Sequence, residues 1–188
     1  MLDKRVIPIL LLKDKGLVKG QNFKKHRYIG DPINAVRIFN SKEVDELIFL
    51  DILASQKNSS IDIELVQNIA DECYIPFTVG GGIKDMSQIK KLLSTGCEKV
   101  CINTSCYNDL ELIRQASGYF GSQSIIASVD IKTNWWGKKN IYINSGKKKI
   151  NLNYLKYCKS LESAGSGEII ITSINKDGMM NGYDKFLA

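Results

Sequence analysis

The stretch Ile75-Pro76-Phe77-Thr78-Val79-Gly80-Gly81-Gly82-Ile83-Lys84-Asp85 decides the fold. Phe77-Thr78-Val79 is an apolar run of strand length, and three glycines end it. A helix follows from Asp85, with Ile89, Leu92 and Leu93 at helical spacing and Gly96 in the usual closing position. A strand that turns through glycine into a helix is one β-α unit.

The same unit recurs in both directions. Residues 6–12 form a near-continuous β run, and Asp31-Pro32 then opens a helix carrying Ile33, Val36, Ile38 and Phe39, with Asp as N-cap and Pro in the first turn. Leu47-Ile48-Phe49-Leu50 is a second strand, followed by a helix over 61–72 with a stripe of Ile63, Leu65, Val66 and Ile69. Beyond Gly96, strands at 100–102 and 125–129 lead to helices at 109–120 and 152–164, and 168–172 is a sixth strand. Strands apolar along their whole length are buried on both faces, as in parallel sheets covered by helices, so the class is α/β.

No GxGxxG follows the first strand, which removes the main reason to choose a dinucleotide fold. Polar and glycine residues gather just after the strands, at Lys13-Asp14, Asp51, Gly80-Gly81-Gly82, Asn103-Thr104, Asp130 and Ser173. Those positions form the C-terminal face of a (β/α)8 TIM barrel, where barrel enzymes keep their active sites. A weak echo between the first strand with Lys13-Asp14 and the fifth with Val129-Asp130-Ile131-Lys132 fits two joined half-barrels. A full barrel needs about 250 residues. The 188 residues are therefore expected to form a single barrel domain over 1–188, truncated after about six units, with strands 7 and 8 absent. The first and sixth strands would then be unpaired edges, and the segment alone poorly stable. The longest connection, 133–149, holds Trp135-Trp136 and the alternation Ile141-Tyr142-Ile143, which predicts a small hairpin acting as a lid over the mouth.

Composition narrows the function classes. The net charge of +6 allows a nucleic acid, a membrane surface or a phosphorylated ligand. Lysines concentrate at 13–25 and 132–149, stretches that read as loops and suit phosphorylated small molecules, with plain solvation as the alternative. They lack the aromatic interleaving of a single-strand platform, so nucleic acid is not expected. The apolar run 6–12 is far short of the roughly 20 residues of a membrane span. Without a small-residue cleavage site it is a poor signal peptide, and the chain is read as cytoplasmic. Five cysteines without a CxxC pair argue against disulfides or a zinc site and are expected to be reduced and mostly buried. The single His26 reads as a solvated bystander in a basic loop, which leaves a Ser-His-Asp device without its base.

Two features carry chemistry. Three glycines between a strand and a helix let backbone N–H groups approach an anion at the positive helix terminus, with Asn103 and Thr104 as further donors; a tight turn is the plainer alternative. Asp130 follows the apolar run 125–129 and should project from the rim, where partial burial tunes a carboxyl for general acid or base work. Its plainer role is as a partner for Lys13 or Lys132.

Several segments together resemble a known family. They are Lys4-Arg5-Val6-Ile7, Val18-Lys19-Gly20-Gln21-Asn22-Phe23, Gly30-Asp31-Pro32, residues 45–52, residues 75–83, Ile102-Asn103-Thr104, Phe120-Gly121-Ser122-Gln123, Gly167-Glu168-Ile169, and Asp177-Gly178 followed by Gly182-Tyr183-Asp184. Nearly collinear over the chain, they resemble the cyclase subunit of imidazole glycerol phosphate synthase. The sister isomerase barrel fits less well, because the Lys-Gly-x-Asn-Phe and Asp-Gly-x-x-x-Gly-Tyr-Asp segments point to the cyclase.

The resemblance implies a lyase of histidine biosynthesis. Such a barrel forms a heterodimer with a glutaminase docked on its N-terminal face, and uses the ammonia to cleave and cyclise a substrate with two phosphates. It implies no cofactor and no metal. Arg5, Glu46, Lys99 and Glu168 match a charged ring that gates ammonia; read alone they would be strand-end charges kept in water. Gly81, Gly82, Asn103 and Thr104 match the first phosphate region, and Asp177 and Gly178 a loop near the second. Lys19, Asp51, Ser145 and Thr172 match other active-site positions. Asp130 matches one of two catalytic aspartates, but the other, two residues before Lys13, is replaced by Leu11. Leucine cannot transfer a proton, and such a loss commonly removes ~10²–10⁴-fold of rate. Met179 also departs from the small polar residue usual beside Asp177-Gly178. Two further roles follow for a barrel so altered: a paralogue supplying ammonia for an acetamidino sugar of surface polysaccharide, or an inert barrel that binds a phosphorylated ligand or activates its glutaminase.

Overall fold

A computed structural model describes residues 4–42, 44–185 and 187. The chain divides into two compact units, Met1–Val18 with Tyr28–Cys101 and Lys19–Arg27 with Ile102–Ala188.

β1 (Ile9–Lys13) turns back into β2 (Gly16–Gln21), and β3 (Lys24–Gly30) leads to α1 (Pro32–Asn40); the first unit holds β1, the start of β2, the end of β3 and α1, while the stretch Lys19–Arg27 belongs to the second. Then follow β4 (Leu47–Asp51), α2 (Ile63–Glu72), β5 (Phe77–Gly80), α3 (Met86–Ser94) and β6 (Lys99–Ile102). β1, β4, β5 and β6 run parallel, with Leu11 opposite Leu50, Phe49 opposite Val79, and Val79 opposite Val100. Asp31, Asp62 and Asp85 start the three helices by accepting backbone N–H groups of the first turn. Such caps satisfy donors that the helix itself cannot, each for about 1 kcal/mol. The core is Val36, Leu47, Phe49, Val66, Ile69, Phe77, Val79, Ile89 and Val100, with Phe49 and Phe77 edge to face at 6.4 Å.

In the second unit a short α4 (Thr104–Asn108) and α5 (Glu111–Phe120) precede β7 (Ile125–Thr133). Antiparallel β8 (Lys139–Ile143) and β9 (Lys148–Ile150) extend β7, and α6 (Tyr154–Ser163) leads to β10 (Glu168–Ser173), parallel to β7. Ile113, Ala116, Ile125, Ala127, Ile131 and Leu161 are its most buried side chains. Parallel strands alternating with helices make the fold a partial (β/α)8 barrel.

Several sequence expectations are corrected. The lysine-rich stretch 13–25, read as a loop, is largely strand, β2 with the start of β3, with Leu17 and Val18 buried side by side, while the hairpin predicted within 133–149 is present as β8 with β9, Ile141 and Ile143 buried at period two. The first strand is not an unpaired edge, because Leu11, Leu12 and Lys13 pair with Val18, Leu17 and Gly16. It also starts later than residue 6; Val6 is exposed and its N–H donates to Asp45 Oδ2 at 2.7 Å. Ile38 leaves the predicted stripe of α1 and is 58% exposed, since two residues past the buried Val36 lie about 200° around a helix. His26 is half-buried against Gly20 rather than free in a loop. Among the described residues the cysteines form no disulfide, and Cys97, Cys101 and Cys106 are buried. Burial pushes the Cys97 and Cys106 thiols up to about 12. Among the described residues, no helix is long and apolar enough to cross a membrane.

Candidate active site

The second unit gathers most of the expected residues. Asp130 lies on β7 between Thr172 of β10 and Tyr142 of β8 and is buried. Burial penalises its charged form and pushes the carboxyl up to about 7; a hydrogen bond from Asn103 opposes the rise, and the charge of Asp177 adds to it. The Asn103 amide donates to Asp130 Oδ2 at 2.8 Å. Asn103 holds the N-cap position of α4, but its side chain makes no capping bond and serves Asp130 instead. Within the second unit, Asn103 rather than Lys132 is the partner of this carboxylate among the described residues. A carboxyl poised near neutrality can both give and take a proton, which a general acid or base must do.

Thr104 Oγ1 accepts the N–H of Asn144 at 3.1 Å, which ties the β8–β9 turn to the start of α4. In that turn Asn144, Ser145 and Gly146 all have positive φ, at 54°, 54° and 75°. The Thr104 hydroxyl, expected to face an anion, thus anchors the turn that carries Ser145.

Asp177 and Gly178 act on the β2–β3 turn. Asn22 N–H donates to Asp177 O at 2.9 Å, and Phe23 N–H to Asp177 Oδ2 at 3.2 Å. The Asn22 amide donates to the carbonyls of Ile174 and Asn175 at 3.0 and 2.9 Å. Gly178, at φ +66°, lies so close that an added Cβ would sit 1.9 Å from Gly20 O. The loop after β10 therefore clasps the hairpin that bears the half-buried Lys19.

The first unit holds Asp51, Gly81 and Gly82. Asp51 Oδ1 accepts the N–H groups of Leu53 and Ala54 at 2.8 and 3.1 Å. A Cβ on Gly81 would lie 2.7 Å from Asp51 O, and one on Gly82 1.8 Å from Ser59 O. Both glycines have positive φ, so close approach of backbone requires them before any ligand does. They do not open a helix directly. α3 starts at Met86, and the Asp85 carboxylate accepts the Gln88 N–H, one of the first-turn donors. Leu11 is half-buried between Leu50 and Val18 in register, an apolar setting.

At the strand starts of the same unit, Glu46 is buried and accepts three partners. Lys99 Nζ lies 2.8 Å and the Arg5 guanidinium 3.3 Å from Oε2, while Thr78 Oγ1 donates to Oε1 at 2.6 Å. Glu46 and Lys99, with side chains 4% and 13% exposed, are not charges kept in water as their position alone suggests, whereas Arg5 stays exposed as expected. Glu168 begins β10 in the second unit, opposite Ile126.

The family model described as "Histidine biosynthesis protein" matches residues 5–187. A Pseudomonas aeruginosa protein with the provisional name imidazole glycerol phosphate synthase subunit hisF2 is 48% identical over 188 residues, 100% of this chain and 75% of the relative. The Hydrogenobaculum protein named imidazole glycerol phosphate synthase subunit HisF is 41% identical over 184 residues, 98% and 73% of the two chains. A Thermococcus onnurineus protein of the same name is 40% identical over 186 residues, with the same coverage. The chain belongs to the HisF family of imidazole glycerol phosphate synthase cyclase subunits.

Three residues of this HisF-family chain escape a reading by residue type. Asn22 was visible only as part of Lys-Gly-x-Asn-Phe, and Thr78 looks like an ordinary strand residue. Asn144 sits in a turn with no chemical signature, yet its Oδ1 is buried without a hydrogen-bond partner among the described residues.

Proposed function

We propose that this chain is an ammonia-using lyase subunit of the cyclase type, working in a heterodimer with a separate glutaminase on a phosphorylated aminoimidazole-carboxamide precursor. The observation that carries this is Asp130, a buried carboxyl at about 7 held by Asn103. It is the proton-transferring group. Lys19, Asp51, Ser145, Thr172, Asp177 and Gly178 position the substrate, and Gly81, Gly82, Asn103 and Thr104 favour its phosphate. Ammonia is admitted where Glu46 meets Lys99 and Arg5, with Glu168 completing the set. With Leu11 in place of the second aspartate, Asp130 serves both acid and base steps and turnover is slow.

The test supplies the whole chain with ammonium and the family's aminoimidazole-carboxamide substrate and follows imidazole glycerol phosphate. Slow turnover, abolished in Asp130→Asn and raised in Leu11→Asp, is expected. No product from either the parent or Leu11→Asp sinks this reading. Leu11 also favours a second one, in which the barrel passes ammonia to the formation of an acetamidino sugar. Glutaminase stimulation on mixing, without imidazole product, together with altered surface sugars in a deletion strain, would select it. Stimulation with unaltered sugars would leave the inert, partner-activating barrel.

A further inference from the structure

Trp135 and Trp136 are the chain's only tryptophans, and both stand at the apex of the β7–β8 hairpin. They are 87% and 80% exposed, with their rings edge to face at 4.7 Å. Large aromatic surface left in water at a loop tip usually marks a place of contact. Trp135 walls a cleft of about 560 Å³, within the size range of small-ligand sites.

The polar walls of this cleft are already fixed. Asn175 accepts the Thr133 N–H at 2.8 Å and donates to the Thr133 carbonyl at 3.1 Å, which holds the loop after β10 against the end of β7. Asn134 Oδ1 accepts the Lys138 N–H at 2.8 Å, and Asp184 Oδ2 accepts the Ser173 hydroxyl at 3.0 Å. Lys139 Nζ lies over the Tyr154 ring at 5.0 Å and bonds its hydroxyl at 3.1 Å. Lys176 also lines the cleft, and its ammonium has no carboxylate partner among the described residues. Preorganised walls of this kind lower the ordering cost of binding.

A flat indole face beside planar amide and carboxylate groups suits the C–H face and hydroxyls of a sugar ring. The Lys176 ammonium at the cleft favours a ring that also carries negative charge. We propose that this cleft binds an anionic sugar, its ring against Trp135 and its carboxylate or phosphate at Lys176. Binding there does not depend on the chemistry of Asp130. Thr133 lies three residues beyond Asp130 on β7, roughly 10 Å along the strand.

Because both tryptophans sit at this hairpin, intrinsic fluorescence of the whole chain reports on it directly. The probes are glucuronic acid and glucose 1-phosphate, with glucose, inorganic phosphate and UMP as comparators. A saturable change with the two anionic sugars is expected, with glucose and inorganic phosphate each at least ~10-fold weaker for want of one half of the contacts. A response to only one of the anionic sugars identifies whether carboxylate or phosphate is the natural charge and still supports the site. Trp136→Phe should keep the response through Trp135, and Lys176→Ala should weaken binding ~10-fold. Trp135→Ala should abolish binding by calorimetry while leaving the melting temperature unchanged. Glucose bound as tightly as glucuronic acid, inorganic phosphate bound as tightly as the sugar phosphate, UMP bound in place of both anionic sugars, or no saturable binding at all would each overturn the proposal.

Discussion

Asn103 donates a 2.8 Å hydrogen bond to Asp130, a carboxyl that burial raises to about 7. The bond favours the ionised form and burial favours the neutral one, and burial wins. Asp130 is thus protonated in the folded chain over a pH range in which the unfolded chain has lost that proton. Between about pH 4 and pH 7 the folded state binds more protons, so this group's contribution to stability is complete below about pH 4 and is lost as pH rises through 7. Asp130→Asn should therefore melt above the parent at pH 8, by up to ~4 kcal/mol, and converge with it near pH 4. Thermal melts across that range would check it, and a variant less stable than the parent at pH 8 would contradict it.

Asn103→Leu should move the Asp130 midpoint further above 7, because the one group lowering it is gone. Carboxyl carbon NMR shifts measured against pH give the midpoint directly. A midpoint unchanged or lowered would mean that Asn103 does not hold the carboxylate.

Glu46→Ala removes the acceptor shared by Lys99, Arg5 and Thr78. Lys99 has only 13% of its side chain exposed and would lose this carboxylate. The expected loss is about 3 kcal/mol in urea unfolding, mostly from breaking a largely buried ion pair on one side. The double variant with Lys99→Met should recover much of it, which a simple packing defect at position 46 would not allow.

Gly82→Ala and Gly182→Ala form a paired test. Both glycines have positive φ, +68° and +81°, but only at Gly82 does a Cβ collide, 1.8 Å from Ser59 O. Gly182→Ala should cost about 1 kcal/mol, the price of the left-handed backbone alone. Gly82→Ala should cost more than ~3 kcal/mol in chemical denaturation.

Asn22→Ala should open the clasp between the β2–β3 turn and the loop after β10. It removes two side-chain hydrogen bonds and a residue type that tolerates φ +50°. Hydrogen exchange at the Asn22 and Phe23 amides should quicken ~10-fold or more, with exchange in the β7 core unchanged.

The alternation of β runs and helices was legible because it rests on local spacing. Asp31-Pro32 and Asp85 mark helix starts by their own chemistry; Asp31 caps as expected, and Asp85, read only as the start of its helix, caps as well. Asp130 was legible for a similar reason, as a charge following an apolar run, although β7 continues past it to Thr133 and so holds it within the sheet rather than at the strand end. Its partner was not, since Asn103 lies 27 residues away and equally well fits an anion site or a helix cap. The clasp was still harder to find: Phe23 and Asp177 are 154 residues apart, and the bonds run mainly through backbone, which every residue possesses. The β2–β3 hairpin was lost because β2 buries only the adjacent Leu17 and Val18 beside Gly20 and β3 is largely exposed, which leaves no apolar alternation to read, and the burial of Glu46 because a carboxylate at a strand start normally stays in water.

Gly178 meets Gly20 through backbone alone, with no room for a side chain at the former. Point substitution therefore has little scope to adjust how these two loops meet. A different fit between them must come from changing loop length or the residues to either side, so at this contact new preferences would arise by insertion and deletion more readily than by exchange of residues.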